Sequence, residues 1–182
     1  MTDISSFSLR CLKPNDTRKP FDCRDDDLND FFHHDSADND RNLLSVTFVL
    51  EDKVNTIAFF SLLNDKISVD ESTGNWWKKH IRSYFPANKN YRSYASVKIG
   101  RIGIYHEYQG TGIGSQIMDY IKVLFLKDNK SGCRFLTVDA YNKSNVLRFY
   151  EINDFMFFKK KVPPTRDKTR LMYFDLMSLL ED

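Results

Sequence analysis

The most restrictive stretch of this chain lies between Arg101 and Met118. A run of strand character over 97–104 leads through Tyr105-His106-Glu107-Tyr108 into Gln109-Gly110-Thr111-Gly112-Ile113-Gly114-Ser115, and an amphipathic helix over 112–126 follows at once. Glycines at 110, 112 and 114 carry no Cβ, so the backbone there can approach a ligand closely. The N–H groups that open the helix then converge on whatever lies at its N-terminus. This arrangement predicts an anion site suited to a diphosphate. The spacing is not G-x-G-x-x-G, no acidic residue follows at the Rossmann offset, and no G-x-x-x-x-G-K-[ST] occurs. Dinucleotide and P-loop readings are thereby excluded.

The rest of the chain supplies a sheet to carry that loop. Residues 7–12 read as a first strand. Residues 22–37 read as a helix, with Asp22, Asp25, Asp26 and Asp27 as caps and favourable N-terminal charge, and Leu28, Phe31 and Phe32 as its apolar stripe. The runs 44–50 and 56–63 predict a hairpin closed by Glu51-Asp52-Lys53, with 66–69 extending or following its second strand. Further strands are expected over 134–140, 155–158 and 171–176, and a short helix over 144–151. Antiparallel hairpins followed by β-α-β-α-β-β make an α+β (mixed α/β) fold with helices packed on a sheet. The long connection 71–95 holds six aromatic and five basic residues, and a connection of that length is functional or carries a short helix of its own.

Composition sets the outer bounds. A chain of 182 residues suits one domain, residues 1–182. With 27 Lys+Arg against 25 Asp+Glu, the net charge of +2 carries no bulk signature of a nucleic-acid binder. Cys11, Cys23 and Cys133 are odd in number and form no CxxC pair, so neither a disulfide framework nor a zinc site is expected, and a reducing cytoplasm fits. His33 and His34 diverge on a helix and have no His or Cys partner at i+4, so no metal is expected. No apolar run is long enough to span a membrane, and Met1-Thr2-Asp3-Ile4-Ser5 has no signal-peptide character. Fifteen Phe and nine Tyr exceed the needs of a minimal core, which predicts that some rings line a groove.

Two motifs in order carry a family resemblance. Gln109 to Gly114 resembles the Gln/Arg-x-x-Gly-x-Gly/Ala pyrophosphate loop of the GNAT family of N-acetyltransferases. Val138-Asp139-Ala140-Tyr141-Asn142, followed by Phe149-Tyr150-Glu151-Ile152-Asn153-Asp154-Phe155, resembles that family's N…FYxxxGF segment. The resemblance implies a GNAT-like, mostly antiparallel central sheet with a V-shaped split between two parallel strands and flanking helices. Acetyl-CoA would be the co-substrate. Its pantetheine arm would pair with the strand at Ile102, Gly103 and Ile104, and its diphosphate would sit on the N–H groups of Gln109, Gly110, Thr111, Gly112, Ile113, Gly114 and Ser115. Tyr150 would protonate the leaving thiolate, the Ile104 N–H would polarise the thioester oxygen, and Asn142 would bond the pantetheine or cap the following helix. His106, Glu107 and Asp139 are candidates for a base. One departure stands in the second motif: Asp154 occupies the place of its glycine, and Asp tolerates left-handed backbone.

A second resemblance bears on the acceptor. Phe21-Asp22-Cys23 with Leu28-Asn29-Asp30-Phe31-Phe32 resembles the opening of GNAT toxins that acetylate aminoacyl-tRNA, and Gly100-Arg101-Ile102-Gly103-Ile104 matches part of their GRLA strand. Those toxins carry glycine where this chain has Cys23-Arg24. The resemblance implies charged tRNA as substrate, an antitoxin partner and a homodimer. Charge is also polarised along the chain: 22–40 holds eight Asp against one Arg, whereas 159–170 nets +5. Basic loops beside a substrate face suit an RNA end. Two other readings stand beside this one: acetylation of a small amine or a protein or peptide amine, and a non-catalytic module that binds acyl-CoA or a partner.

Overall fold

The acidic run at 22–30 starts its helix later than its composition suggests. Asp22 to Asp25 are extended or turned, and the cap is Asp25, whose Oδ1 accepts the Leu28 N–H at 3.2 Å. Helix α1 (Asp26–Asp30) carries Asp26 and Asp27 in its first turn, where the helix dipole favours them. It passes into a π-helical turn, Phe31–Asp35, and then into α2 (Ser36–Arg41). The wide turn brings both Phe31 and Phe32 into the interior, stacked on Phe59 at centroid distances of 5.9 and 5.2 Å. Arg18 Nε and Ser36 Oγ both donate to the Phe32 carbonyl at 2.9 Å, which supports the irregular turn.

The computed structural model describes residues 2–69, 91–127, 129, 132–158 and 167–180. The chain forms two compact units, Met1–Asn64 with Lys98–Asn129 and Asp65–Val97 with Lys130–Asp182. The fold is mixed α+β, with mostly antiparallel strands and a parallel β4–β5 pair.

In the first unit, β1 (Ser8–Cys11) pairs antiparallel with β2 (Val46–Glu51), which pairs antiparallel with β3 (Thr56–Ser68). The hairpin is closed by Asp52, whose Oδ1 accepts the N–H groups of Val54 and Asn55 at 2.7 and 2.6 Å. Residues 66–68 extend β3 rather than forming a separate strand. Leu43 and Leu44 stay outside β2 because the Leu44 N–H is bound to the Asn39 carbonyl at the end of α2. Strand β4 (Ser93–Ile104) neighbours β3 and begins earlier than expected. Helix α3 (Ile113–Lys127) buries Ile113, Ile117, Met118 and Ile121, the stripe its periodicity predicts.

In the second unit, β5 (Phe135–Tyr141) pairs antiparallel with β7 (Thr169–Asp175), and β7 also pairs with the two-residue β6 (Met156–Phe157). Arg134 grips the Asp175 carboxylate through two bonds of 2.9 and 2.7 Å at the end of the β5–β7 ladder. Helix α4 (Ser144–Ile152) ends in a Schellman motif: Phe155 N–H bonds the Tyr150 carbonyl at 3.0 Å and Asp154 N–H bonds that of Glu151 at 3.1 Å. Asp154 takes φ 66°, the left-handed conformation this motif requires. Tyr150 and Phe155 make the accompanying ring contact at 5.5 Å. The tyrosine and phenylalanine of the FYxxxGF pattern are therefore the two hydrophobic ends of a helix cap.

Arg24 is another position where glycine would be at home. Its φ is 60°, and its N–H is held by Asp22 Oδ1 at 2.8 Å. Left-handed backbone costs a residue with a Cβ about 1–2 kcal/mol, partly offset by the greater unfolded-state freedom of glycine. Arg24→Gly is expected to stabilise the protein by about 1 kcal/mol and raise Tm by about 2–4 °C. A scanning calorimetry trace with Tm unchanged or lowered would contradict this.

Candidate functional site

The glycine loop is built entirely within the first unit. Strand β4 ends at Ile104, Tyr105 N–H bonds the Ile57 carbonyl at 2.8 Å, and a 3₁₀ turn over His106–Tyr108 delivers Gln109. Gly110 and Gly112 take φ 76° and 93°. A Cβ on Gly110 would meet nothing within 4 Å, so glycine serves the backbone conformation there and not clearance. Between the two glycines, Thr111 Oγ1 donates to the Tyr108 carbonyl at 2.7 Å and fixes the turn. The first α3 hydrogen bond runs from Gln116 N–H to the Gly112 carbonyl at 3.2 Å, so Ile113, Gly114 and Ser115 form the opening turn. Their N–H groups, with those of Gly110 and Gly112, find no acceptor among the described residues. The first turn of α3 carries no acidic residue. An anion is the ligand such a turn can satisfy.

The neighbouring strand positions behave differently from one another. Gly103 is buried, and a Cβ there would lie 2.5 Å from Phe59 Cε1 and 3.0 Å from Phe21 Cζ. Its missing side chain makes room for the aromatic cluster, which is a packing reason and not one of ligand approach. Ile102 and Ile104 are half-buried at the end of β4. The Gln109 side chain points back into the protein: Nε2 donates to the Cys23 carbonyl at 2.9 Å and to the Ile104 carbonyl at 3.1 Å.

Around this turn lies a cluster that sequence reasoning did not single out. Asp22 Oδ1 accepts from Arg24 N–H and from Asn29 Nδ2, the latter at 2.9 Å. These bonds, Arg24's first, and the nearby His106 hold the Asp22 carboxyl below the usual carboxylate range. The Asp22 carbonyl faces both His106 N–H at 2.9 Å and His106 Nδ1 at 3.0 Å. The toxin-like opening segment was the signal that could have located this cluster, although its side-chain partners lie more than 80 positions apart in the chain.

In the second unit, Tyr150 is 4% exposed, with its ring edge-on to Phe149 and Phe155. Burial pushes its phenol well above the ordinary tyrosine value. No described residue hydrogen-bonds the hydroxyl. Asn142 does not cap α4. The cap position is Lys143, with no side-chain bond, and Ser144 already lies within the helix. Asn142 instead ties β5 to the start of β7, its Nδ2 donating to the Asp167 carbonyl at 3.1 Å and its N–H to that of Lys168 at 2.9 Å. Glu107 and Asp139 are exposed.

Among the described residues no group of three His, Cys, Asp or Glu side chains could hold a metal ion, and no helix is long and apolar enough to cross a membrane. Of the aromatic and basic segments, Trp76, Trp77, Tyr84 and Phe85, and Lys159 to Lys161 with Arg166, lie outside the described residues. Tyr91 and Tyr94 are described, and Tyr94 packs edge-on against Phe135 at 5.9 Å. Arg170 lies over the Phe157 ring at 4.7 Å.

The chain has the GNAT fold. It is similar to the crystal structure of a tyrosine-to-phenylalanine mutant of KacT, with TM-score 0.72 and 17% identity over 97% of this chain and 98% of that one. It is similar also to AtaT complexed with acetyl-methionyl-tRNAfMet, with TM-score 0.69 and 18% identity over 96% and 97%. A third match is a tyrosine-to-phenylalanine mutant of the AtaT toxin bound to the C-terminus of the antitoxin AtaR and acetyl-CoA, with TM-score 0.65 and 18% identity over 97% and 99%. At these identities the shared feature is the fold. No family model and no curated protein matches the chain.

Proposed function

We propose that the chain, as a single domain, is an N-acetyltransferase that moves the acetyl group of acetyl-CoA to a primary amine by direct attack. The observation that carries this reading is the set of N–H groups at Gly110, Gly112, Ile113, Gly114 and Ser115 that find no acceptor among the described residues, at the start of a helix with no acid in its first turn. A diphosphate would satisfy these donors, and the pantetheine arm would run along Ile102 and Ile104. The amine nitrogen attacks the thioester carbonyl, the Ile104 N–H steadies the oxyanion, and the C–S bond breaks as Tyr150 gives its proton to the thiolate. Burial keeps that phenol protonated through the physiological range, as a proton donor requires.

The acceptor we favour is the amino group of aminoacyl-tRNA. The fold is shared with AtaT, which has been seen with acetyl-methionyl-tRNAfMet, and the chain has an opening segment like that of the GNAT toxins. The α-amine of an aminoacyl ester has a pKa near ~8 and is partly neutral at pH 7, so it places less demand on a base than an alkyl ammonium does. On this reading the partners are charged tRNA and an antitoxin, as AtaR is for AtaT, and a second copy of the chain.

Thiol release from acetyl-CoA decides among the readings. Release is expected with a mixture of charged tRNAs and not with a panel of free amines or peptides. Release with free amines alone would assign a small-amine or peptide acetyltransferase. Release with neither, alongside retained acetyl-CoA binding, would leave a non-catalytic module.

A further inference from the structure

We infer that Asn29 is a positioning residue for the glycine loop: through residues 22 and 23 it sets the anchor points to which both ends of the 106–109 turn are bound. The inference rests on the acetyl-CoA reading only for what the loop holds. The chain of bonds is continuous. Asn29 Nδ2 donates to Asp22 Oδ1 at 2.9 Å, while its Oδ1 accepts Cys23 N–H at 3.0 Å and faces the Cys23 thiol at 3.2 Å. One amide therefore uses both its donor and its acceptor to fix the Asp22–Cys23 segment. The two carbonyls of that segment then face outward. That of Asp22 takes His106 N–H at 2.9 Å, and that of Cys23 takes Gln109 Nε2 at 2.9 Å.

These are the first residue of the 3₁₀ turn and the residue that leaves it, so the path into Gly110 is pinned at entry and exit. The second Gln109 bond, to the Ile104 carbonyl at 3.1 Å, ties the same side chain to the end of β4. Gln109 thus acts as a strut between two carbonyls, a role its amide donor fills and a carboxylate could not. Apart from Gln109 and Thr111, whose N–H groups bond the His106 and Tyr108 carbonyls at 3.4 Å, the loop N–H groups make no bonds among the described residues, so this strut supplies the order that they lack.

The relay has a chemical polarity that can be reversed. Asn29→Asp sets two carboxylates face to face and removes the donor to Asp22. The double variant Asp22→Asn with Asn29→Asp restores one donor and one acceptor in the opposite sense. Gln109→Met keeps length and removes the strut.

Hydrogen–deuterium exchange of the bonded His106, Tyr108, Gln109 and Thr111 amides in ligand-free protein is expected to quicken about tenfold in Asn29→Asp and Gln109→Met, the effect of losing about one hydrogen bond, and to return toward wild type in the double variant. Calorimetric affinity for CoA should fall about tenfold in the two single variants and recover in the double one. Unchanged loop exchange, or faster exchange spread over the whole chain and not rescued by the double variant, would overturn the inference. Wild-type protein that fails to bind CoA would overturn the acetyl-CoA reading alone, because the exchange rates report on the loop without ligand. CoA bound equally by wild type and single variants would overturn the relay alone.

Discussion

Gly112→Asp should abolish acetyl-CoA binding. Two effects act at the same atom. The residue sits at φ 93°, where a side chain is strained by about 1–2 kcal/mol. A carboxylate there would also face the diphosphate across the opening turn of α3. At about 5 Å and an effective dielectric near 20, each pair of unit charges repels by roughly 3 kcal/mol. Together these exceed a hundredfold in affinity, at about 1.4 kcal/mol per tenfold. Gly112→Ala carries the strain without the charge and should lose about tenfold. Gly132→Asp, at φ 72° and outside the loop, carries comparable strain and a charge elsewhere, and should leave affinity unchanged. Titration calorimetry with acetyl-CoA separates the three. An affinity for Gly112→Asp equal to that of wild type would remove the diphosphate from this loop.

Much of this loop was legible because its signals are local. Glycine punctuation followed by a 3.6-residue apolar period predicts a turn and a helix, and α3 begins one residue from the expected start. Asp154 was legible for a similar reason: a left-handed position tolerates Asp, and the Schellman bonds account for the surrounding motif. What was not legible depends on partners distant in sequence. Asp22, Asp25, Asp26 and Asp27 at the head of α1 are all competent caps, and composition cannot rank them. The winner is Asp25 because residues 22 and 23 are held by His106 and Gln109.

The side-chain direction of Gln109 is set by the same distant carbonyls, which no local pattern announces. Gly103 follows the same pattern. The space beside it belongs to Phe59 and Phe21, which lie far from it in the chain. The π-turn at Phe31–Asp35 needed Arg18 and Phe59 to make it worthwhile, and neither lies within its own helix.

Tyr150→Phe is the sharper test of chemistry, because the structure predicts that it changes little else. The ring contacts with Phe149 and Phe155 survive in phenylalanine, and no described residue loses a hydrogen-bond partner. Tm should therefore hold or rise, and acetyl-CoA affinity should stay at the wild-type value. Turnover should fall by about 10²–10⁴, the usual contribution of a positioned acid. A tyrosine that only packs would show the same Tm with full turnover, and that result would remove Tyr150 from the mechanism.

The pH profile adds a second readout. The protonated phenol is the active form, and burial shifts its loss upward from the ordinary value near ~10. Turnover of the wild type should thus show no alkaline decline attributable to this group below pH ~10. A decline at lower pH that Tyr150→Phe abolishes would contradict the burial argument. A decline at lower pH that persists in the variant would belong to another ionisation and leave Tyr150 in place.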